Sequence, residues 1–294
     1  MNADISPIRK IGIEAPTFKA EGKAEAVKPV PALPVGIFDS GVGGLTVFSE
    51  FIKYLPSEDV IYLADTARVP YGGRPPEEIK KINEEIMDYF IGRGVKMVIM
   101  ACGTSSSIAY PLLKDKYEIP IVALIDPGSY GAVQATKNGK IGIIATLGTV
   151  NSGAFQKKIK ELKKDAEVYA EACPLFVPLI EGGFIEADET KKVAREYLKP
   201  LLKAGIDALI FGCTHYPHLR KAIEEIVGPN VALVDPAYEA VQDAKKILSK
   251  NGMLKSKATR GKYEFLVTGP PLQFQDLGSR LLGRPITGVK QIKL

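Results

Sequence analysis

Tryptophan is absent from the 294 residues, histidine occurs only twice and cysteine only three times. Three sparse cysteines do not make a disulfide framework; they fit a reducing compartment, so a cytoplasmic protein is expected. His215 and His218 both follow Cys213, and the other cysteines fall at no zinc-like spacing, so no metal is expected. No apolar run approaches the roughly 18 residues of a membrane span, and no charged segment followed by an apolar stretch opens the chain. Neither a membrane nor a secretory leader is therefore expected. An excess of one charge is also missing. Lys and Arg number 39 against 34 Asp and Glu, a net charge of +5. The lysine pairs 157–158, 163–164 and 191–192 stand among acids and read as solvated helix faces, not as a nucleic-acid footprint.

What is present is a globular composition. Hydrophobic residues make up 46% and charged residues 25%, which allows a sizeable core, and the length suffices for two domains. Residues 1–34 mix lysine, glutamate and proline and read as a flexible N-terminal extension. Its acids (Asp4, Glu14, Glu21, Glu25) argue against an organelle transit peptide. From Val35 onward, short apolar strands alternate with longer amphipathic stretches. Strands are expected over 35–39, 59–64, 96–102, 121–124, 140–146, 167–170, 207–213, 231–234 and 263–268. Helices are expected over 44–54, 76–93, 151–164, 188–204, 217–227 and 238–249. This alternation implies an α/β fold with parallel sheets flanked by helices.

The halves resemble each other. Residues 35–41 line up with 141–147, and the two cysteine-bearing strands line up as well; the offsets, 145 − 39 = 106 and 213 − 102 = 111, fit a duplication. The expected architecture is two pseudo-symmetric lobes with the active site in the cleft between them. The first lobe would comprise 35–128 plus 237–294, and the second 129–236.

Cys102 ends one buried run and precedes Gly103-Thr104-Ser105, while Cys213 ends another and precedes Thr214-His215-Tyr216-Pro217. A lone strand cysteine is usually structural. Two of them, each before a helix start at the edge where α/β sheets bind ligands, suggest an acid and a base facing one small substrate. Cys173, which lies before Pro174 and outside such a loop, reads as inert. Asp39-Ser40-Gly41-Val42-Gly43-Gly44 lets backbone N–H groups approach an anion but matches no nucleotide fingerprint. Asp39 either orients a substrate ammonium and assists a thiol, or caps a helix. His215 reads as a partner that tunes Cys213, and Glu181 either orients that histidine or lies on the surface.

Taken together, these segments resemble the glutamate racemases of the aspartate/glutamate racemase superfamily. The marks are residues 36–46 (GIFDSGVGGLT), 65–72 (DTARVPYG), 100–102 (MAC), 145–149 (ATLGT) and 212–217 (GCTHYP). The resemblance implies cofactor-independent interconversion of L- and D-glutamate, supplying peptidoglycan and hence cell shape, in a homodimer. It implies Cys102 and Cys213 as catalytic acid/base residues. It implies substrate contacts from Asp39, Ser40, Tyr71, Gly72, Thr104, Thr146, Thr214 and His215. It points to no arginine clamp from Arg68 or Arg74, so main-chain N–H groups and hydroxyls are expected to hold the carboxylates. One departure stands out. The family usually has asparagine after the first cysteine, where this chain has Gly103, so the contact at 103 lacks an amide.

Overall fold

A computed structural model of the chain describes residues 30–256 and 259–294. The expected extension over 1–34 thus lies outside the described residues up to residue 29. Its last part forms a single 3-10 turn, Val30–Ala32.

Ten strands occur among the described residues: β1 (Val35–Asp39), β2 (Val60–Ala64), β3 (Met97–Met100), β4 (Ile121–Val122), β5 (Lys140–Ala145), β6 (Glu167–Ala172), β7 (Ala208–Phe211), β8 (Ala232–Val234), β9 (Tyr263–Val267) and β10 (Lys290–Gln291). They form two sheets in the orders β10-β9-β2-β1-β3-β4 and β6-β5-β7-β8. Each pairing is parallel. Every residue of β1, β2, β3 and β7 is buried, as befits central strands covered on both faces.

On one face of the first sheet, Ile37, Tyr62 and Val267 pack with Phe48 and Val241. On the other, Phe38, Leu63 and Met100 meet Ile82, Met87 and Phe90 of the helix Pro76–Gly92. The second sheet is likewise lined on both faces. The chain leaves it after β8, runs through the helix Pro236–Lys250, and adds β9 beside β2 in the first sheet.

The arrangement β2-β1-β3-β4 recurs as β6-β5-β7-β8. In each, the chain crosses from its first strand to one side and then returns to the other. A crevice therefore opens at the carboxyl ends of β1 and β3, and again at those of β5 and β7.

Some expected elements differ. The helix expected over 151–164 is two helices, Leu147–Ser152 and Ala154–Leu162, divided by Gly153 at φ 64°. The stretch 217–227 begins as the 3-10 turn Tyr216–Leu219 and becomes α-helical only at Arg220. The helix Ile125–Ala135 was not foreseen because Pro127, Gly128 and Gly131 mask its periodicity. Gly128 and Gly131 let it pack against Pro236, Val234 and Glu239.

Candidate active site

The expected site residues lie in the loops that leave the strands at these two crevices. Asp39 ends β1, with Ser40 directly after it. Cys102 caps the helix Gly103–Ile108 after β3 and is 5% exposed; Cys213 follows β7 and is 7% exposed. Thr146 caps the helix after β5, where its hydroxyl accepts the Thr149 N–H. Tyr71 and Gly72 sit between β2 and the helix Pro76–Gly92.

Hydrogen bonds tie the two sets of loops into one seam. The Thr104 and Thr146 hydroxyls are 3.0 Å apart. The Gly148 N–H donates to the Gly72 carbonyl at 2.9 Å, and the Thr46 hydroxyl donates to the Thr214 carbonyl at 3.2 Å. The structure thus gathers both thiols, Asp39, Thr104, Thr146, Thr214 and His215 from two separate sheets. A cleft of about 390 Å³ opens on the outer side of this seam, lined by Gly72, Arg74, Ile108, Gly148 and Asn151.

The thiols have unequal surroundings. His215 Nδ1 lies 3.9 Å from the Cys213 sulfur, and Nε2 lies 2.9 Å from Glu181 Oε1. Glu181 ends the short helix Phe176–Glu181, and its carboxylate is turned onto the imidazole. Burial pushes the His215 imidazole toward its neutral form. Its hydrogen bonds to Cys213 and Glu181, with the charges of Cys213 and Asp39, outweigh burial and raise its pKa to about 10. A doubly protonated ring can donate to sulfur and carboxylate at once.

Cys102 has no such partner. Burial, then the Asp39 carboxylate, push its thiol up to about 12, and the N–H and hydroxyl of Ser105 only partly offset them. A nearby charge on Cys213 raises it further. Asp39 accepts the N–H groups of Gly41 at 3.1 Å and Gly44 at 3.0 Å, so it organises the glycine loop as a cap would. It also faces His215, and burial raises its pKa against the pull of that ring and those N–H groups.

Tyr71 is buried, and its hydroxyl donates to Asp65 Oδ2 at 2.5 Å. The Tyr71 hydroxyl is thus committed to Asp65, leaving only the main chain of residue 71 free of that bond. Arg68 pairs with Asp65 and Glu85, and Arg74 with Glu78, so both arginines are committed away from the thiols. Cys173 is fully buried, with its thiol directed to the Glu171 carbonyl.

Two contributors were not foreseen as support. Asp65 accepts Arg68, Tyr71 and, from the far end of the chain, the Thr268 hydroxyl at 2.7 Å. Its position before Thr-Ala-Arg was visible, but not its partners. Ser105 is fully buried close to Cys102, and its hydroxyl has no hydrogen-bond partner among the described residues.

A family model for Asp/Glu/Hydantoin racemase matches residues 45–244. A glutamate racemase from Geobacter metallireducens is 42% identical over 265 residues, covering 90% of this chain and 98% of its own. The crystal structure of a glutamate racemase isoform from Bacillus anthracis superposes with a TM-score of 0.86 at 35% identity, over 89% of this chain and 98% of that one. A glutamate racemase from Francisella tularensis, solved in complex with D-glutamate, gives 0.84 at 35% identity over 90% and 98%.

Proposed function

The chain belongs to the Asp/Glu/hydantoin racemase family and is an amino-acid racemase, and on that premise we propose that it interconverts L- and D-glutamate by passing the α-proton between two thiols, without a cofactor. The observation that carries this reading is the pair of buried cysteines. They come from separate sheets and meet at one seam, where a charge on Cys213 raises the Cys102 thiol.

Enantiomers have equal free energy in water, so the reaction needs no driving force. It does need proton removal on one face of the α-carbon and delivery on the other. Cys213 as thiolate, with His215 Nδ1 3.9 Å from its sulfur, takes the α-proton as the C–H bond breaks. The electron pair stays on carbon. Cys102, held protonated by its raised pKa, delivers its proton to the opposite face and becomes the thiolate. The reverse reaction starts from that state with the roles exchanged.

Asp39 faces the substrate ammonium. The hydroxyls of Ser40, Thr104, Thr146 and Thr214, with main-chain N–H groups at Gly72 and Gly103, receive the carboxylates, since Arg68 and Arg74 are paired elsewhere. A positioned base contributes about 10²–10⁴-fold. The remainder comes from donors held in place around the developing carbanion in a site closed to water. On this reading the enzyme is a cytoplasmic homodimer whose D-glutamate serves bacterial peptidoglycan synthesis.

The test is incubation with L-glutamate in D₂O, following α-deuteration by NMR and optical rotation together. Wild type should deuterate and racemise, and Cys102→Ser or Cys213→Ser should abolish turnover. Full racemisation by both serine variants would sink the two-thiol reading. Faster turnover of L-aspartate in a parallel reaction would reassign the substrate.

A further inference from the structure

Cys102 must become an anion once in each cycle, in a place hostile to one. Burial, then the Asp39 carboxylate, oppose its thiolate, and both the N–H and the hydroxyl of Ser105 favour it. His215 stands by the other thiol. Most hydroxyls around Cys102 are already spent. Tyr62 donates to the Gly41 carbonyl at 3.0 Å, Tyr71 to Asp65, and Thr104 is paired with Thr146. Three consecutive serines follow on the helix Gly103–Ile108, which Cys102 caps. Ser106 donates to the Met100 carbonyl at 3.0 Å and accepts the Leu124 N–H at 3.1 Å. Ser107 donates to the Thr104 carbonyl at 3.0 Å. Ser105 is the uncommitted one: it is fully buried, and its hydroxyl has no partner among the described residues. Such an orphan is uncommon and costs stability. Its place gives it a use. Ser105 is the third helical residue after the capping cysteine, on the side that faces a cap side chain. No capping hydrogen bond closes onto the thiol. A thiol is a weak acceptor, whereas an anionic acceptor takes shorter and stronger bonds.

We propose that Ser105 is a further catalytic residue, whose hydroxyl donates to the Cys102 sulfur while that sulfur is anionic. The proposal rests on the two-thiol reading above. As Cys102 delivers its proton to carbon, the S–H bond breaks and its electron pair stays on sulfur. The Ser105 O–H then turns onto that pair, and the serine keeps its own proton throughout. The hydroxyl is thus unpaired beside a thiol and paired beside a thiolate. An interaction made only as charge develops speeds the chemical step without tightening the hold on substrate. The chain that lacks the asparagine amide at residue 103 carries this hydroxyl two residues further on.

The experiment compares wild type, Ser105→Ala and Cys102→Ser, with kcat and KM measured from L- and from D-glutamate. Ser105→Ala should lower kcat/KM about tenfold, equally in both directions because the enantiomers are isoenergetic. The split should differ between them. Where Cys213 is the base, the bound complex holds Cys102 as a thiol and is untouched, so kcat falls and KM stays. Where Cys102 is the base, the bound complex already holds its thiolate, so KM rises and kcat stays near wild type. Iodoacetamide labelling at about pH 8, read by peptide mass, should slow about tenfold at Cys102 and not at Cys213. The thermal midpoint should stay at or above wild type, since alanine removes a hydroxyl that bonds nothing beside the thiol. Wild-type kinetics in Ser105→Ala overturn the proposal. So do equal falls in kcat from both enantiomers, the mark of a structural role, and so does unchanged labelling of Cys102. Racemisation that survives Cys102→Ser would instead remove the two-thiol reading itself.

Discussion

Glu181→Gln removes a charge from the site while keeping its shape, because the amide oxygen can still accept the hydrogen bond that the carboxylate accepts from His215 Nε2 at 2.9 Å. A hydrogen bond to a charged group contributes about 1.5–3 kcal/mol and a neutral one about 0.5–1.5 kcal/mol. Glu181 is 32% exposed, so solvent screens it and the lower end of the difference applies, about 1 kcal/mol or somewhat under one pKa unit. His215, raised to about 10, should fall by that amount in the variant. With only two histidines in the chain, nitrogen NMR of the imidazoles resolves the question directly. His218 serves as the reference: burial, then the nearby His215, lower it to about 4, so it should stay neutral in both proteins.

The imidazolium that partners the Cys213 thiolate is lost as pH rises through its pKa, so the alkaline fall in kcat/KM should move somewhat under one unit toward neutrality. The two enzymes should be nearly equal at pH 7.5 and differ by about twofold at pH 9.5. Because enantiomers are isoenergetic, kcat/KM must fall equally in both directions, and any asymmetry belongs to kcat and KM separately. The substrate ammonium titrates identically in both enzymes, so the readout is the shift between them. A His215 signal that titrates near 6.5 in wild type, or that ignores the substitution, refutes the argument.

Lys96→Met should destabilise the fold by about 3–5 kcal/mol in urea denaturation, because it strands the buried Glu58 carboxylate that Lys96 meets at 2.5 Å. Adding Glu58→Gln should recover much of that loss, and kcat should not change, since Lys96 precedes β3 at the end opposite Cys102. A cost below about 1 kcal/mol would show that the pair is not buried as described. Thr146→Val should lower kcat/KM about tenfold by deleting the hydroxyl 3.0 Å from Thr104, the equivalent of about 1.5 kcal/mol. Polarimetry at saturating and limiting glutamate measures it, and an unchanged kcat/KM removes Thr146 from the site.

Much of the fold was legible because strands covered on both faces must be apolar throughout. The runs ending at Asp39, Ala64 and Cys102 announced themselves for that reason. β10 is two exposed residues with no apolar signal, and it was missed. The helix Phe176–Glu181 was missed as well, being short and carrying Pro178 at its centre. Within the site, Cys102, Cys213, Asp39 and His215 were visible through residue type and position at strand ends. The hub at Asp65 was not, because its partner Thr268 lies 203 residues away.

Residue order alone determined which chemical groups this protein owns and at which strand ends they stand. Burial alternation and motif order are local properties, readable along a line. Distances across the seam are not. That Gly103 meets the Gly212 carbonyl depends on how two sheets pack against each other, and that His215 reaches both Cys213 and Glu181 depends on how helices and loops pack over the second sheet. Only the tertiary structure decides such contacts across the seam, because they join atoms more than a hundred residues apart in the chain, as Thr46 and Thr214 also are.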